Sequence, residues 1–230
     1  HYANLARELR GKKVIVGGIE GLSRVMRQTQ DAQALQLFGN GAGLFGVIPG
    51  ETMQFIAGSS QEVYDTEGLL QVRMTYPHSG ATLLETQETG PHSLRIAGLQ
   101  HEPEPGAGPV VMAGPMGMVK LFVRNGVTAV RSAYGSYRER VKIPGKDSVV
   151  TIAHHANLKI NMHREKQLQK KGIVIPTPWL VNDFGNVSAA SAMIAFLRKL
   201  RELKAGDHVM FDGFGAGSYY DVVAVELGRR

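Results

Sequence analysis

Hydrophobic positions in the second half of this chain alternate between two spacings. Compact β-branched runs, typical of buried strands, occupy residues 148–153, 208–211 and 221–227. Between them, apolar residues recur at the spacing of one helix face over residues 117–134, 158–171 and 186–204. This alternation of strands and helices favours an α/β fold built on a layered sheet. Only a short glycine turn separates the last two strands, so we expect them to pair antiparallel.

The first half is less regular. Residues 1–10 are typical of a helix end, and residues 19–28 of a loop or short helix. Residues 77–115 are rich in Pro, Gly, His and Glu, which indicates a lid, a binding loop or a disordered stretch. A polar segment is expected over 138–147. Further strands are expected at 14–18, after a turn within 39–48, at 53–57 and 69–76, and as a β-rich run over 173–181.

A glycine pattern in the first half, Gly41-x-Gly43-x-x-Gly46, satisfies the dinucleotide-binding fingerprint. That fingerprint needs a strand before it and a helix after it. Residues 44–50 are too few, and too interrupted by Gly and Pro, to form a helix. We therefore interpret these glycines as allowing a sharp turn and close packing, and reject a dinucleotide site.

Composition narrows the class of protein. The chain has 230 residues, enough for one domain or two small lobes, and no apolar run approaches the ~20 residues of a membrane-spanning helix. Its net charge of +6 favours anionic partners, but no nucleic-acid-binding motif is recognisable. The absence of cysteine excludes disulfides, thiolate metal ligands and a thiol nucleophile in this chain, and together with the lack of a signal segment it predicts a cytoplasmic protein. Loop histidines at 78, 92 and 101 are too irregularly spaced for metal ligands, so no metal site is expected.

Three patches carry candidate chemistry: residues 153–157 with His154, residues 182–191 with Asn186, and residues 213–217 with Gly215, Ala216 and Gly217. Each lies where a strand meets a turn or helix, so all three can converge at one edge of the sheet. An imidazole, an amide and backbone N–H groups are donors suited to a developing oxyanion. Each patch also has a structural explanation: a structural histidine, a helix N-cap at Asn186 and a plain glycine turn.

The order of these patches matches a family. His-His-Ala-Asn-Leu-Lys-Ile at 154–160 and Gly-Asn-Val-Ser-Ala-Ala-Ser at 185–191 resemble two motifs of β-ketoacyl-[acyl carrier protein] synthase III. The segments 206–217, 38–43 and 19–24 resemble its closing strand and glycine loop, its Phe-Gly-Asp-Gly-Ala-Gly motif and the stretch before that motif. The match covers residues 12–48 and 116–228, whereas residues 50–115 match poorly.

The resemblance implies a thiolase fold of two related α/β halves, usually as a homodimer, with a Cys-His-Asn active site. By position, His154 and Asn186 would be the catalytic imidazole and amide that stabilise an enolate. Ala216, between Gly215 and Gly217, would supply an oxyanion N–H. Asn157 matches a position near the pantetheine arm or one that holds the loop, and His155 stands where the family commonly has Gln; both are expected to bind substrate. The substrates would be coenzyme A or acyl carrier protein thioesters, with no separate cofactor.

The resemblance also divides the chain and exposes a gap. Residues 1–50 would be the tail of the N-terminal thiolase-like half, 51–115 an irregular linking and pocket region, and 116–230 the C-terminal half with the His/Asn site. The family cysteine would lie upstream of the strand matched to residues 14–16, and this chain contains no Cys, so a fragment or subunit that borrows a Cys from a separate or missing N-terminal part is expected. The alternative is a noncatalytic partner that stabilises an active ketosynthase.

Two departures from the family concern the substrate. Residues 28–32 lack the usual Arg, which leaves an acyl carrier protein as an alternative to coenzyme A. An unusual acyl pocket is suggested by Tyr219, Tyr220 and residues 77–115.

Overall fold

A computed structural model describes residues 6–22, 37–63, 73–74, 85–90, 93–97, 110–111, 118–142, 149–175, 177–178, 181–215 and 218–229. The strands are β1 (Val14–Gly21), β2 (Asn40–Val47), β3 (Met53–Glu62), β4 (Arg73–Met74), β5 (Glu85–Gly90), β6 (Ser93–Ala97), β7 (Val110–Val111), β8 (Val149–Ala153), β9 (His208–Gly215) and β10 (Tyr219–Leu227). A π-helix, Met118–Asn125, leads into α1 (Gly126–Arg140), which is followed by α2 (Leu158–Gln169), α3 (Val181–Phe184) and α4 (Ala189–Lys199). A single 3₁₀ turn spans Arg7–Leu9.

A four-stranded mixed sheet forms the centre of the described structure, in the order β3-β10-β9-β8. β9 and β10 pair antiparallel, as expected from their glycine turn, and β10 also pairs antiparallel with β3. β8 and β9 run parallel, with Ala153 opposite Asp212. The carboxyl ends of these two strands therefore lie at the same edge of the sheet.

Both faces of this sheet are covered. One face packs against α1 and α2 through a cluster that includes Val130, Ile160 and Val222. The other face packs against α4 through Ile152, Phe196, Val209 and neighbours. Burial on both faces explains why the strands read as continuous apolar runs rather than alternating ones. The predicted α/β layered fold is confirmed.

The β1–β2 hairpin forms a second, two-stranded antiparallel sheet on the far side of α4. Its glycines bring the strands close to the helix: a Cβ on Gly43 would lie 2.7 Å from Met193 Cβ, and one on Gly18 would lie 2.5 Å from the Ala189 carbonyl carbon. Close packing is the correct interpretation of Gly41 and Gly43, whereas a Cβ on Gly46 would meet nothing within 4 Å. The turn predicted within residues 39–48 is wrong, because Asn40–Val47 is a strand. No helix follows β2 before β3, which agrees with the rejection of a dinucleotide site.

The hairpin has one packed and one bare face. Val14, Val16 and Phe45 pack towards the core around α4, and the Phe45 and Phe196 rings lie 4.8 Å apart. On the opposite face, Ile15 is 78% and Ile19 71% exposed. Large aliphatic side chains grouped on one strand face, rather than scattered, typically mark a contact surface.

The long helix departs from the prediction at its end. The expected helix over 117–134 exists, but it continues to Arg140, so residues 138–140, assigned to the polar segment, are helical. Gly126 stands at the junction of the π- and α-helical parts, where a Cβ would lie 2.7 Å from Arg164 Nε. The absence of a side chain at Gly126 thus leaves room for the Arg164 guanidinium to pack against the helix.

Two further expectations are wrong. Residues 173–175 and 177–178 contain no strand, because Pro176 and Pro178 lack ladder donors; Ile173 and Ile175 are buried as core side chains instead. The helix expected over 186–204 is only Ala189–Lys199, since Ser188 has φ 45° and cannot continue a helix.

One strand of the central sheet comes from the region predicted to link the two halves of the chain. β3, within the predicted linking region 51–115, is an edge strand of the central sheet. The three-part division stays a prediction, and most of the expected strand 69–76 and the histidines at 78, 92 and 101 lie outside the described residues. Among the helices described, none has the length and apolar character needed to cross a membrane.

Candidate functional site

The three chemical patches meet at one edge of the sheet. His154 directly follows β8, and Gly215 is the last residue of β9, the parallel neighbour of β8. Asn186 and Ser188 lie in the short connection that leads into α4. Residues 216–217, which include the predicted oxyanion donor Ala216 and Gly217, lie outside the described residues.

The backbone of His154 is held on both sides. Its N–H donates to the carbonyl of Asp212 at 2.8 Å, which extends the β8–β9 pairing by one residue. Its carbonyl accepts a 3.2 Å hydrogen bond from Asn161 Nδ2 on α2. The imidazole meets the Phe214 ring edge-on, with centroids 5.1 Å apart. The ring therefore has a defined position at the strand end.

Ser191, in the first turn of α4, contacts the His154 imidazole and influences which ring nitrogen carries the proton. Its Oγ lies 2.9 Å from His154 Nδ1 and 2.7 Å from the Ser188 carbonyl, and it accepts a 3.3 Å bond from His155 N–H. The hydroxyl has one proton. If it donates to Ser188, Nδ1 must carry the ring proton and Nε2 is an acceptor. If it donates to Nδ1, the neutral ring carries its proton on Nε2 and becomes a donor there.

The neutral ring is the dominant state at this position. The pKa of His154 is lowered to about 4, chiefly by burial and further by the charges of His155 and Arg164. A hydrogen bond to the Ser188 backbone acts in the opposite direction. At neutral pH, His154 can therefore donate or accept a hydrogen bond without carrying a charge.

Asn186 is fixed by backbone pairing with the segment before β2. Its N–H donates to the Leu37 carbonyl at 2.7 Å, and its carbonyl accepts from Gly39 N–H at 2.9 Å. Its side-chain Oδ1 accepts from Ser188 N–H at 2.9 Å, which directs the amide NH₂ to the other side. The N-cap interpretation is wrong in detail, because the residue before α4 is Ser188 and Asn186 forms a turn two residues earlier.

The neighbouring glycines are required by this pairing. Gly185 has φ 68°, and a Cβ there would lie 2.6 Å from the Leu37 carbonyl oxygen. A Cβ on Gly39 would lie 2.2 Å from the Phe184 carbonyl oxygen. Only glycine admits such close backbone approach, so the motifs at 38–43 and 185–191 fit each other in space as well as resembling one family in sequence.

The two predicted substrate contacts have structural partners. His155 is 2% exposed, and its Nε2 lies 3.1 Å from the Pro178 carbonyl; burial lowers its pKa. Asn157 is the N-cap of α2, where its Oδ1 accepts from Lys159 N–H at 2.9 Å. Both contacts shape the loop after β8, and substrate binding by these two residues stays a prediction.

Sequence reasoning missed a buried ion pair beneath the site. Arg164 Nη2 lies 2.5 Å from Asp212 Oδ2, with both side chains almost fully buried, and the guanidinium carbon lies 4.6 Å over the Phe214 ring. Helical spacing places Arg164 on the buried face of α2 with Ile160 and Leu168, but it does not identify Asp212 as the partner of its charge. The described residues contain no group of three His, Asp or Glu side chains that could hold a metal ion.

Known proteins resemble this chain in sequence. Residues 138–227 match the family model described as 3-oxoacyl-[acyl-carrier-protein (ACP)] synthase III C terminal. The β-ketoacyl-[acyl-carrier-protein] synthase III of Clostridium tetani is 29% identical over 216 residues, covering 90% of this chain and 57% of that protein. Synthase III 1 of Halalkalibacterium halodurans is 25% identical over 221 residues, covering 95% and 58%.

Solved structures agree on the fold. The 3-oxoacyl-(acyl carrier protein) synthase III of Pseudomonas aeruginosa matches with a TM-score of 0.63 and 20% identity, over 94% of this chain and 58% of that one. The architecture is therefore the thiolase-like α/β fold of these solved structures. Within that fold, the chain resembles β-ketoacyl-[acyl carrier protein] synthase III in sequence, as its motifs predicted. It spans 58% of the length of the curated relatives it matches first.

Proposed function

We propose that this chain provides the condensing half of a ketosynthase active site. In the complete reaction, a cysteine thiolate attacks an acyl thioester and releases the carrier thiol. A malonyl or acyl thioester then forms an enolate, by loss of CO₂ or of a proton. The enolate carbon attacks the acyl-enzyme carbonyl, and the cysteine thiolate leaves as the new carbon–carbon bond forms. The substrates would be coenzyme A or acyl carrier protein thioesters.

His154 and Asn186 would bind the thioester oxygen that becomes the enolate oxyanion. The connection of both residues through Ser188 and Ser191 is the observation that carries this proposal. To act as a donor, the neutral His154 ring must carry its proton on Nε2. This tautomer is selected when the Ser191 hydroxyl donates its hydrogen bond to Nδ1. Two fixed neutral donors stabilise a developing negative charge without reorganising during the reaction. A second oxyanion develops on the acyl-enzyme carbonyl when the enolate attacks it. Backbone N–H groups at Gly215, Ala216 and Gly217 would donate hydrogen bonds to that oxyanion.

The nucleophile must come from residues outside this sequence, since the chain has no cysteine. The bare hairpin face with Ile15 and Ile19 is a suitable docking surface for the polypeptide that supplies it. That polypeptide would be a separate or preceding N-terminal part, or a homologous subunit. Assembly into a dimer and a cytoplasmic location belong to the same proposal.

A second candidate is a noncatalytic subunit that stabilises an active homologue. The missing cysteine favours this noncatalytic role. The close fit between the motif that carries Asn186 and the segment before β2 favours a working site. The two differ in what the partner contains. A partner with its own Cys, His and Asn, whose activity is unaffected by His154→Ala, would establish the noncatalytic role.

Intact mass spectrometry of the purified native assembly tests the proposal. After incubation with an acyl-coenzyme A, we expect an acyl mass added to a Cys-bearing polypeptide that copurifies with the condensing residues. Addition of malonyl-coenzyme A should then remove the adduct. An assembly in which no polypeptide is acylated by acyl-coenzyme A or by acyl carrier protein thioesters would contradict the proposal.

A further inference from the structure

Arg164 is a charged side chain in the core. It is 3% exposed, and it lies on the buried face of α2 with Ile160, Asn161 and Leu168. Arginine is almost never fully buried unless its charge is paired, as Arg164 is with Asp212. A buried ion pair is a weak source of net stability, because desolvation of both charges offsets their attraction. Stability alone therefore does not explain why this position holds an arginine.

The guanidinium contacts two residues of β9 that lie two positions apart. Arg164 Nη2 lies 2.5 Å from Asp212 Oδ2, and the guanidinium carbon lies 4.6 Å from the centre of the Phe214 ring. Alternate residues of a strand share one face, so one planar group can reach both side chains. On the helix side, Gly126 leaves room, since a Cβ there would lie 2.7 Å from Arg164 Nε. The guanidinium is therefore confined between α1 and one face of β9.

Both β9 residues also contact His154. The Asp212 carbonyl accepts the His154 N–H at 2.8 Å, and the Phe214 ring meets the imidazole with centroids 5.1 Å apart. A second aromatic ring, Phe122, packs against Phe214 with centroids 5.5 Å apart. Two contacts thus connect Arg164 to His154, one through the strand backbone and one through the Phe214 ring. A change in the guanidinium should be transmitted to the imidazole by these contacts.

The contacts with Asp212 and Phe214 require the planar shape of arginine. A guanidinium can donate to a carboxylate with its edge while its face lies on an aromatic ring. A lysine ammonium could keep the ion pair with Asp212, but it is a compact point charge without a planar face. The charge of Arg164 also acts on the imidazole directly: burial, then the charges of His155 and Arg164, lower the pKa of His154 to about 4. Arg164 is therefore linked to His154 by shape as well as by charge.

We propose that Arg164 is a positioning residue for His154. Its guanidinium holds Asp212 and Phe214 in place, so that the imidazole keeps one orientation at the end of β8. The inference rests on the proposed condensing role of His154, which gives the orientation its functional meaning. The orientation itself can be measured on the chain alone, without a substrate or a cysteine. A small misplacement of a catalytic group can reduce the reaction rate strongly.

The first test uses ¹H–¹³C NMR signals of the His154 imidazole in the 230-residue chain. These signals depend on where the Phe214 ring lies, because an aromatic ring current shifts nearby protons. Arg164→Lys keeps the positive charge and removes the planar group. We expect it to shift the two carbon-bound proton signals of the His154 ring. Unchanged signals in a folded Arg164→Lys chain would overturn the proposal.

Arg198 on α4 provides a matched control. Its Nη1 lies 2.5 Å from Asp183 Oδ2, and its guanidinium carbon lies 4.6 Å from the centre of the Phe184 ring. It therefore makes the same pair of contacts as Arg164, but both members of its ion pair are about half exposed. We expect Arg198→Lys to leave the His154 signals where they are in the unmodified chain. Equal shifts from both variants would overturn the proposal, because the effect would not be specific to Arg164.

A second pair of variants moves the guanidinium without replacing it. Gly126→Ala places a Cβ 2.7 Å from Arg164 Nε, whereas Gly135→Ala on the same helix adds a Cβ with nothing within 4 Å. We expect Gly126→Ala to shift the His154 ring signals and Gly135→Ala to leave them unchanged. If Arg164→Lys does not fold, this pair decides, and equal signals in the two glycine variants would overturn the proposal.

Activity in the native assembly separates this inference from the proposed function. We expect an assembly with Arg164→Lys to acylate normally and to slow the condensing step by at least about tenfold, as a misplaced catalytic group would. Unmodified condensation with Arg164→Lys, where His154→Ala abolishes that step, would overturn the positioning role. Unmodified condensation with His154→Ala would contradict the proposed function instead, and the NMR comparison would still decide whether Arg164 positions the ring.

Discussion

The central sheet and the β1–β2 hairpin contain similar β-branched strands but differ in what covers them. The sheet is closed on both faces, by α1 and α2 on one side and α4 on the other. Among the described residues, the hairpin packs against α4 on one face, and its other face exposes Ile15 and Ile19. One helix therefore serves both sheets. The central sheet therefore has a complete core of its own, whereas the hairpin leaves a large aliphatic surface exposed among the described residues.

The largest effect is expected at the buried ion pair of the central sheet. Asp212→Ala leaves the Arg164 charge buried without its partner and should cost about 3–5 kcal/mol of unfolding free energy. The matched control is Asp183→Ala, which breaks the Arg198–Asp183 pair, where both side chains are about half exposed. That change should cost no more than about 1 kcal/mol. Urea unfolding measures both, and equal costs would contradict the comparison of buried and exposed pairs.

A pair of isoleucines compares the two sheets directly. Ile152 in β8 is fully buried, and Ile152→Ala should cost about 2–5 kcal/mol because it leaves a cavity. Ile15→Ala on the bare hairpin face should change the stability of the isolated chain by no more than about 0.5 kcal/mol. Thermal and urea unfolding of the two variants provide the measurement. A large loss from Ile15→Ala in the isolated chain would mean that the face is already covered.

Hairpin docking onto α4 can be weakened by a single methyl group. Gly43→Ala would place a Cβ 2.7 Å from Met193 Cβ, and we expect a cost of about 1–3 kcal/mol from overpacking. Gly46→Ala is the control on the same strand, since a Cβ there meets nothing within 4 Å. Chemical denaturation distinguishes them. Similar stability of the two variants would show that the helix and hairpin separate easily.

The smallest expected effect is the change of unfolding free energy per pH unit that is caused by His154. The folded-state pKa of His154 is about 4, below its ordinary value of 6.5. The unfolded chain therefore binds more protons between these pH values, and stability should fall as pH decreases through this window, by up to about 1.4 kcal/mol per unit. Above about pH 6.5 this contribution is complete. His155, whose pKa burial also lowers, acts in the same direction.

The matched variant for the pH experiment is His154→Gln, which keeps a polar side chain but does not titrate. It should reduce the slope of stability against pH between about 6.5 and 4 while leaving the part that His155 contributes. Urea midpoints at several pH values measure the slope. An unchanged slope would contradict the lowered pKa of the His154 ring.

Local patterns predicted the elements whose burial is simple. Strand β8, strand β10 and helix α2 were predicted close to their observed positions, because their apolar spacing and their burial agree. The failures have a common physical cause. The described residues of 173–181 contain no strand, and Ile173 and Ile175 fill the core instead. The helix expected from Asn186 begins three residues later because Asn186 pairs with the segment before β2.

In the candidate site, too, local motifs could be predicted from the sequence and contacts between distant residues could not. His154 and Asn186 were identifiable because they lie in motifs at strand and helix ends. The control of the His154 ring by Ser191 depends on a contact between residues 37 positions apart, and the Arg164–Asp212 pair joins residues 48 apart. No local period carries such information, since it arises only when α2, α4 and β9 are packed together.

The most direct test of the condensing role measures two steps in the native assembly by mass spectrometry: acylation of the cysteine by acyl-coenzyme A, and removal of that acyl group when malonyl-coenzyme A is added. The assemblies compared carry the unmodified chain, His154→Ala or Asn186→Ala. We predict that both variants acylate normally but lose carbon–carbon bond formation by about 10²-fold or more, as expected when an oxyanion donor is removed. Condensation at the unmodified rate in both variants would contradict the assignment of His154 and Asn186.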